Sequence, residues 1–269
     1  MIEVLKQQFT PSMPPEEKLN RTREFLQIMA LKNLSDQNAF GNIAFVGGTA
    51  LRILYDIRRF SEDLDFSLVS PKGYKFETLS AGLVRHFNLN NLDVECKPKV
   101  ENTVHSAFLK FPGILKELGL GAFEAQKLSI KLEVDSDPPK GWNLTETTLN
   151  KTYMFSVRHF DLPSMLATKI HACFFRKYTK GRDFYDLVWY LGMKIFPNIE
   201  LLNNAIHQTE GKAPGITRAT LKDFMLGGLD KVDFNAAVKD VRRFVIDEGE
   251  LRVINKSSLS SLISGADWK

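Results

Sequence analysis

The sequence predicts an α+β fold, with a mixed-sheet core flanked by helices over 1–160 and a mainly helical half over 161–269. Three observations predict it. Strand-period and helix-period stretches alternate through the first half. Strand candidates stop near Phe160. Beyond that point the chain carries helix-opening signals and apolar residues at helical spacing.

Each element follows in order. TPSMPP at 10–15 is a Pro-rich lead-in. A helical pattern then runs from about Glu16 to Leu34, with Leu19, Phe25, Leu26, Ile28 and Met29 near one face. Ile43-Ala44-Phe45-Val46 is a short apolar run, read as a buried strand, and Gly47-Gly48 stops it. Thr49 to Ile57 resumes a helix, and Asp63 to Val69 alternates with period two, as a half-buried strand does. After Pro71-Lys72-Gly73 a helix is expected near 76–88, with strands at 92–97, 104–111 and 128–135. Residues 136–145 read as a loop and Tyr153 to Phe160 as a further strand. Asp161 is placed to cap a helix that reaches about Arg176, with Pro163 in its first turn. A second helix is expected near 183–194, and the remainder reads as mainly helical.

The composition excludes several classes. With 43% hydrophobic and 25% charged residues, the chain has ordinary globular composition, enough for one large domain or two modest ones. The net charge of +4 permits contact with phosphates without requiring it. Cys96 and Cys173 stand far apart in no metal-ligand spacing, which argues against a disulfide scaffold or structural zinc and for a reducing cytoplasm. MIEVLKQQF has no apolar core of a signal peptide, and no stretch is apolar enough to span a membrane. A soluble cytoplasmic protein is expected. The five histidines (86, 105, 159, 171, 207) form no H-E-x-x-H, and no G-x-S-x-G occurs. His159 and His171 read as hydrogen-bonded core or surface residues.

Four stretches carry chemistry. Gly47 and Gly48, between strand and helix, let a backbone approach a ligand closely. The helix N-terminus offers N–H groups to phosphate, and the Thr49 hydroxyl is a further donor. A plain tight turn capped by Thr49 would use the same residues. No lysine follows at P-loop spacing, so this is not that motif.

Asp63 and Asp65, at i and i+2 on a strand, point to one face roughly 7 Å apart. Like charges that close favour a bound cation, and phosphoryl chemistry uses paired Mg²⁺ about 3.5–4 Å apart. A solvated strand face is the ordinary alternative. Ile130, Leu132 and Val134 alternate with Lys131, Glu133 and Asp135, which offers a third carboxylate. Glu133 is the choice and Asp135 the alternative.

The last stretch lies in the helical half. Lys169 sits among apolar residues, with Cys173 and Arg176 on its face, and needs a partner: a triphosphate or a buried carboxylate would serve. Asp183 and Asp186 open the next helix at i, i+3. Snorkelling by Lys169 and a dipole role for Asp183 are the ordinary alternatives. Arg176, Lys177, Lys180 and Arg182 suit either a nucleic-acid path or a solvated loop.

In order, FVGGTALR, RRFSEDLDF, IKLEVD and LATKIHACFFRKYTKGRDFYDL resemble the AbiEii/AbiGii nucleotidyltransferase toxin family, part of the DNA polymerase β-type nucleotidyltransferase superfamily. The resemblance runs from about residue 40 to 195, and no motif matches beyond it. It implies a nucleotidyltransferase core with the glycine motif on Gly47, Gly48 and Thr49 and metal-binding acids at Asp63 and Asp65. It puts the family's lysine at Lys169 and its last acidic motif on Asp183 or Asp186. The superfamily's third acid falls on Glu133, a Glu where many relatives carry Asp.

The resemblance further implies Mg²⁺ as cofactor, an NTP as substrate and a cognate antitoxin as partner. Family members are toxins of toxin–antitoxin pairs tied to abortive infection and phage defence. Some transfer nucleotides to the 3′ end of tRNA and so stop translation. The mechanism implied is in-line attack of an acceptor hydroxyl on the α-phosphate, with pyrophosphate leaving. Asp63, Asp65 and Glu133 are expected at the metals, Gly47, Gly48 and Thr49 at the β- and γ-phosphates, and Lys169 neutralising charge there. Two other readings stand beside it: a small-molecule, aminoglycoside-like nucleotidyltransferase that shares this core, and a non-catalytic nucleotide- or RNA-binding protein that uses the basic helical half. Intact glycines and aspartates speak against the latter.

Overall fold

Where apolar residues alternate or run together, the chain makes strands, and their pairing is set by which face must be buried. In a computed structural model, which describes residues 1–121, 123 and 126–266, the elements in order are α1 (Ile2–Lys6), α2 (Pro15–Asp36), β1 (Ile43–Val46), α3 (Gly47–Tyr55), β2 (Leu64–Leu68), α4 (Phe76–Leu89), β3 (Glu95–Glu101), β4 (Val104–Phe111), α5 (Ile114–Glu117), β5 (Leu128–Asp135), β6 (Leu144–Asn150) and β7 (Met154–Phe160). Helices α6 (Leu162–Phe175), α7 (Gly181–Gly192), α8 (Ile199–Glu210), α9 (Arg218–Leu229), α10 (Phe234–Val241) and α11 (Lys256–Gly265) follow. The α+β class with a mixed sheet and a helical second half is as the sequence predicts.

The chain packs as two units. One holds Met1–Tyr55, Phe60–Pro138 and Glu146–His159, and the other Asp56–Arg59, Pro139–Thr145 and Phe160–Lys269. The seven strands form one sheet in the order β3-β4-β5-β2-β1-β7-β6. Strand β1 runs antiparallel to β2 and parallel to β7, while β2 runs parallel to β5. The β3-β4-β5 part is antiparallel, so the sheet is mixed.

In the first unit, Leu64 and Phe66 of β2 and Ile130, Leu132 and Val134 of β5 are all buried. Phe66 stacks obliquely on Phe45, with ring centroids 5.3 Å apart. Phe87 of α4 meets Phe111 of β4 edge-on at 4.9 Å. Phe25, Leu26 and Met29 of α2 lie in the same core. The expected strand at 92–97 starts later, at Glu95, and runs to Glu101. It is an edge strand paired along its length with β4, a place where Pro98 costs little because no second neighbour needs its missing N–H. Strand β6 shortens the expected loop at 136–145 and runs on to Asn150. LTETTLN buries only Leu149 fully, so it carries no apolar alternation.

In the second unit, Asp161 caps α6, its carboxylate accepting the Ser164 N–H at 2.9 Å, and Pro163 lies in the first turn, as expected. Leu166 and Ile170 of α6 and Phe184 and Leu187 of α7 are buried with Leu201 of α8 and Leu221 of α9. A Cβ at Gly181 would run into the Ala237 carbonyl, so glycine permits the close approach of α7 and α10. The short segment 56–59 belongs here: Arg59 bridges to Val245, and the Ile246 N–H donates to the Arg58 carbonyl at 3.2 Å. Among the described residues no helix is long and apolar enough to cross a membrane.

Candidate active site

The first unit builds its site where β1 passes directly into α3, a helix that starts at Gly47, two residues before the expected Thr49. Gly47 has φ +78°, a left-handed conformation that favours glycine. Antiparallel register sets Val46 opposite Asp65, which brings the turn against that carboxylate. A Cβ at Gly47 would lie 2.6 Å from Asp65 Oδ2 and 3.1 Å from Asp65 Cβ. The Gly-Gly turn thus faces the Asp-x-Asp segment in direct contact.

Parallel register sets Asp65 beside Glu133 and Ser67 beside Asp135. Glu133 is therefore the acid next to Asp65. The Asp135 carboxylate accepts the Asp137 N–H at 3.0 Å, in the turn that follows β5. Asp63 lies just before β2, and Asp63, Asp65 and Glu133 are all half-buried.

Thr49 is fully buried, and its hydroxyl donates to the Asp63 main-chain carbonyl. The donor expected to face a phosphate is instead spent within the protein, where it ties the start of α3 to the acidic segment. What Thr49 can still offer a phosphate is its main-chain N–H, in the first turn of the helix.

Lys131, two residues before Glu133 on the same face, donates to Glu133 Oε1 at 2.7 Å. The hydrogen bond to Glu133, with the charges of Glu133, Asp63 and Asp65 behind it, holds the Lys131 ammonium above the usual lysine range. This lysine had no role in the sequence reading beyond its place in the alternation, because a lysine on a polar strand face is ordinary. Among the described residues no three His, Cys, Asp or Glu side chains are grouped so as to hold a metal ion. The Glu133 carboxylate is engaged with Lys131.

The frame around these groups is well tied. Arg52 of α3 pairs with Glu24 of α2 at 2.7 Å and lies over the Phe60 ring at 4.9 Å. The Gln27 side chain donates to the Ser61 carbonyl at 3.2 Å, fixing the chain that leads into Asp63. His159 is buried and bonded to the Thr147 hydroxyl at 2.9 Å.

The other predicted residues meet in the second unit. Lys169 Nζ lies 2.7 Å from Asp183 Oδ1 and 2.9 Å from Asp186 Oδ2. Of the two partners the sequence allowed for this lysine, the structure supplies the buried carboxylate. Asp186 also receives both Nε and a terminal nitrogen of Arg59 at 2.6 Å, a bidentate pair between fully buried side chains. Arg176 lies 2.9 Å from Asp183 Oδ2, without hydrogen-bond geometry at that oxygen.

Burial opposes the Lys169 charge, but Asp183 and Asp186 outweigh it and push its pKa up. For Asp183 burial again opposes the charge, and Lys169 and Arg176 outweigh it and hold its carboxyl below the usual range. Cys173, one turn after Lys169, is pushed well up, first by burial and then by Asp183. Arg59 escaped the sequence reading, since its partner lies far along the chain. His171, also in this unit, bonds to the Thr209 hydroxyl at 2.9 Å.

Comparison with known proteins meets this geometry at the level of the whole chain. No curated protein matches it. Two solved Helicobacter pylori structures share the fold: JHP933, at 22% identity and TM-score 0.58 over 91% of this chain and 90% of that one; and a candidate nucleotidyltransferase, at 22% identity and TM-score 0.55 over 90% and 92%. The family model described as "Nucleotidyl transferase AbiEii toxin, Type IV TA system" matches residues 29–257, across both the acidic strands and the buried ion cluster. The chain therefore belongs to the AbiEii nucleotidyltransferase toxin family.

Proposed function

We propose that the chain is a Mg²⁺-dependent nucleotidyltransferase that moves a nucleoside monophosphate from an NTP to the 3′ end of tRNA, releasing pyrophosphate and blocking translation. Its setting is abortive-infection defence against phage, with a cognate antitoxin as partner. The observation that carries this reading is the Asp65 carboxylate packed against Gly47, with Glu133 in register beside it.

Gly47, Gly48 and the first N–H groups of α3 bind the β- and γ-phosphates, a use to which helix N-termini are suited. Asp63 and Asp65 hold Mg²⁺: the donors are all oxygen, which suits a hard cation, and the absent Cβ of Gly47 leaves the Asp65 carboxylate room. When bound, the ion neutralises charge on the transferring phosphate. Glu133 takes the proton of the acceptor hydroxyl. Lys131 offsets the repulsion among the three carboxylates until substrate arrives. Thr49 acts as a positioning residue through the Asp63 carbonyl. Within the second unit, Lys169 with Asp183 and Asp186 holds α6 to α7.

The test is incubation with Mg²⁺, labelled NTPs and total tRNA. Wild-type protein labels the tRNA, and Asp63→Asn or Asp65→Asn lowers the rate by about 10²-fold or more. Mass spectrometry of tRNA 3′ ends after induced expression identifies the added nucleotide. An unlabelled RNA pool, or Asp65→Asn as active as wild type, defeats the proposal.

A further inference from the structure

The β2-β5-β4-β3 part of the sheet has one buried face and one open face, and the open face carries the acids. Residues paired across neighbouring strands share a face. Pairing joins Asp65, Glu133, Ser106 and Lys99 in one row. The adjacent row is Lys131, Phe108 and Lys97, and the next is Ser129, Lys110 and Glu95. Strands are spaced by about 4.8 Å, so Lys99 stands about 14 Å from the strand that carries Asp65.

Phe108 is 47% exposed, although the same strand buries Ala107, Leu109 and Phe111. Its ring has Lys131 Nζ 5.8 Å from its centroid, with Lys97 opposite on the other side. Lys97, Lys99 and Lys110 are exposed. Lys99 pairs with Glu101 at 2.9 Å and Lys127 with Glu95 at 2.6 Å, bonds on the surface that a polyanion can replace at little cost. Lys97 and Lys110 form no ion pair among the described residues. An exposed aromatic ring set among lysines on an open sheet face matches stacked bases and phosphates in chemistry: the ring takes a base, and the ammonium groups take the backbone.

We infer that the open face of β3, β4 and β5 binds a single-stranded RNA segment, with Phe108 stacking on a base and Lys97, Lys99 and Lys110 contacting phosphates. The face guides the end of that strand along the Lys99–Ser106–Glu133–Asp65 row. Only the destination of the strand rests on the nucleotidyl-transfer reading; the binding does not.

Binding of a 5′-fluorescein-labelled single-stranded RNA of about 12 nucleotides, within the range one sheet-based site covers, is followed by anisotropy at several salt concentrations. Phe108→Ala is expected to weaken binding about thirtyfold, mid-range for one base–aromatic stack. Lys97→Gln with Lys110→Gln lowers the slope of log K against log salt by about 1.4, the value for two phosphate contacts on a single strand. Both sites are exposed, and an unchanged melting temperature confirms that the variants fold.

No binding by wild type overturns the inference, as does binding that ignores both sets of substitutions. Preferential binding of duplex RNA insensitive to Phe108→Ala also overturns it. Face-dependent RNA binding without nucleotide transfer supports the surface and defeats the catalytic reading. Transfer to tRNA that is indifferent to Phe108 and the lysines does the reverse.

Discussion

Replacing Gly47 by alanine tests the contact on which the site depends. Two costs arise at that position. The first is conformational: φ is +78°, and an L-residue held in the left-handed region costs about 1–2 kcal/mol. The second is steric. The new Cβ lies 2.6 Å from Asp65 Oδ2, and ordinary contact begins at 3.4 Å, so a separation of 3.4 − 2.6 = 0.8 Å must be found. Overpacking of this kind costs about 1–3 kcal/mol. Gly73 supplies the control, because it has φ +80° and no neighbour within 4 Å of its would-be Cβ. Gly73→Ala therefore carries the first cost alone.

Hydrogen exchange over residues 43–68 reads the opening of β1 and β2. Gly47→Ala should lose about 2–5 kcal/mol there and Gly73→Ala about 1–2. The relief of the clash moves the Asp65 carboxylate, and a displacement near 1 Å costs about 10²-fold in rate. Nucleotide transfer should fall by that order in Gly47→Ala and stay near wild type in Gly73→Ala. Equal stability and equal activity in the two variants would refute the contact between the turn and the acid.

Three further outcomes follow from the same geometry. Glu133→Gln should slow transfer by about 10²-fold or more, as loss of a general base does, while Asp135→Asn, opposite Ser67 and engaged with Asp137, should stay within severalfold; equal losses would return the third acid to an open choice. Arg59→Leu leaves the buried Asp186 short of a bidentate partner and should cost about 3–5 kcal/mol, read by urea unfolding of the Trp142 and Trp189 fluorescence; a loss below about 1 kcal/mol would mean that Lys169 alone suffices. The pH dependence of the second unit follows from the ion cluster: the Asp183 pKa is lowered from 3.8 and the Lys169 pKa raised from 10.5, so the Asp183 contribution is present above 3.8 and lost as pH falls through its folded value. The Lys169 contribution is complete below 10.5 and is lost as pH rises through its folded value. Urea midpoints should therefore be flat between these limits and fall on both sides, with Asp183→Asn flattening the acid limb.

Much of the fold was legible because burial leaves a local trace. The alternation in LSIKLEVD and the apolar run IAFV follow from which side chains a strand hides, and both strands have the expected bounds. Strand β6 left no such trace, since an edge strand with one fully buried residue has no period to read. The late start of β3 has the same cause: its bounds come from pairing with β4 rather than from its own side chains.

The sequence by itself determined that a glycine pair closes β1, that Asp63 and Asp65 stand two residues apart, that Lys131, Glu133 and Asp135 share one face of β5, and that Lys169 needs a partner. Each is a matter of residue type and short spacing. Only the tertiary structure decided that Glu133 and not Asp135 lies beside Asp65, because register depends on how two strands far apart in the chain bury Leu64, Phe66, Leu132 and Val134 together. It also decided that Thr49 spends its hydroxyl on the Asp63 carbonyl. It gave Lys169 two buried carboxylates and joined to them Arg59, a residue 127 positions from Asp186. A charge driven out of water takes whatever opposite charge the fold brings near it, and no local pattern names that partner in advance.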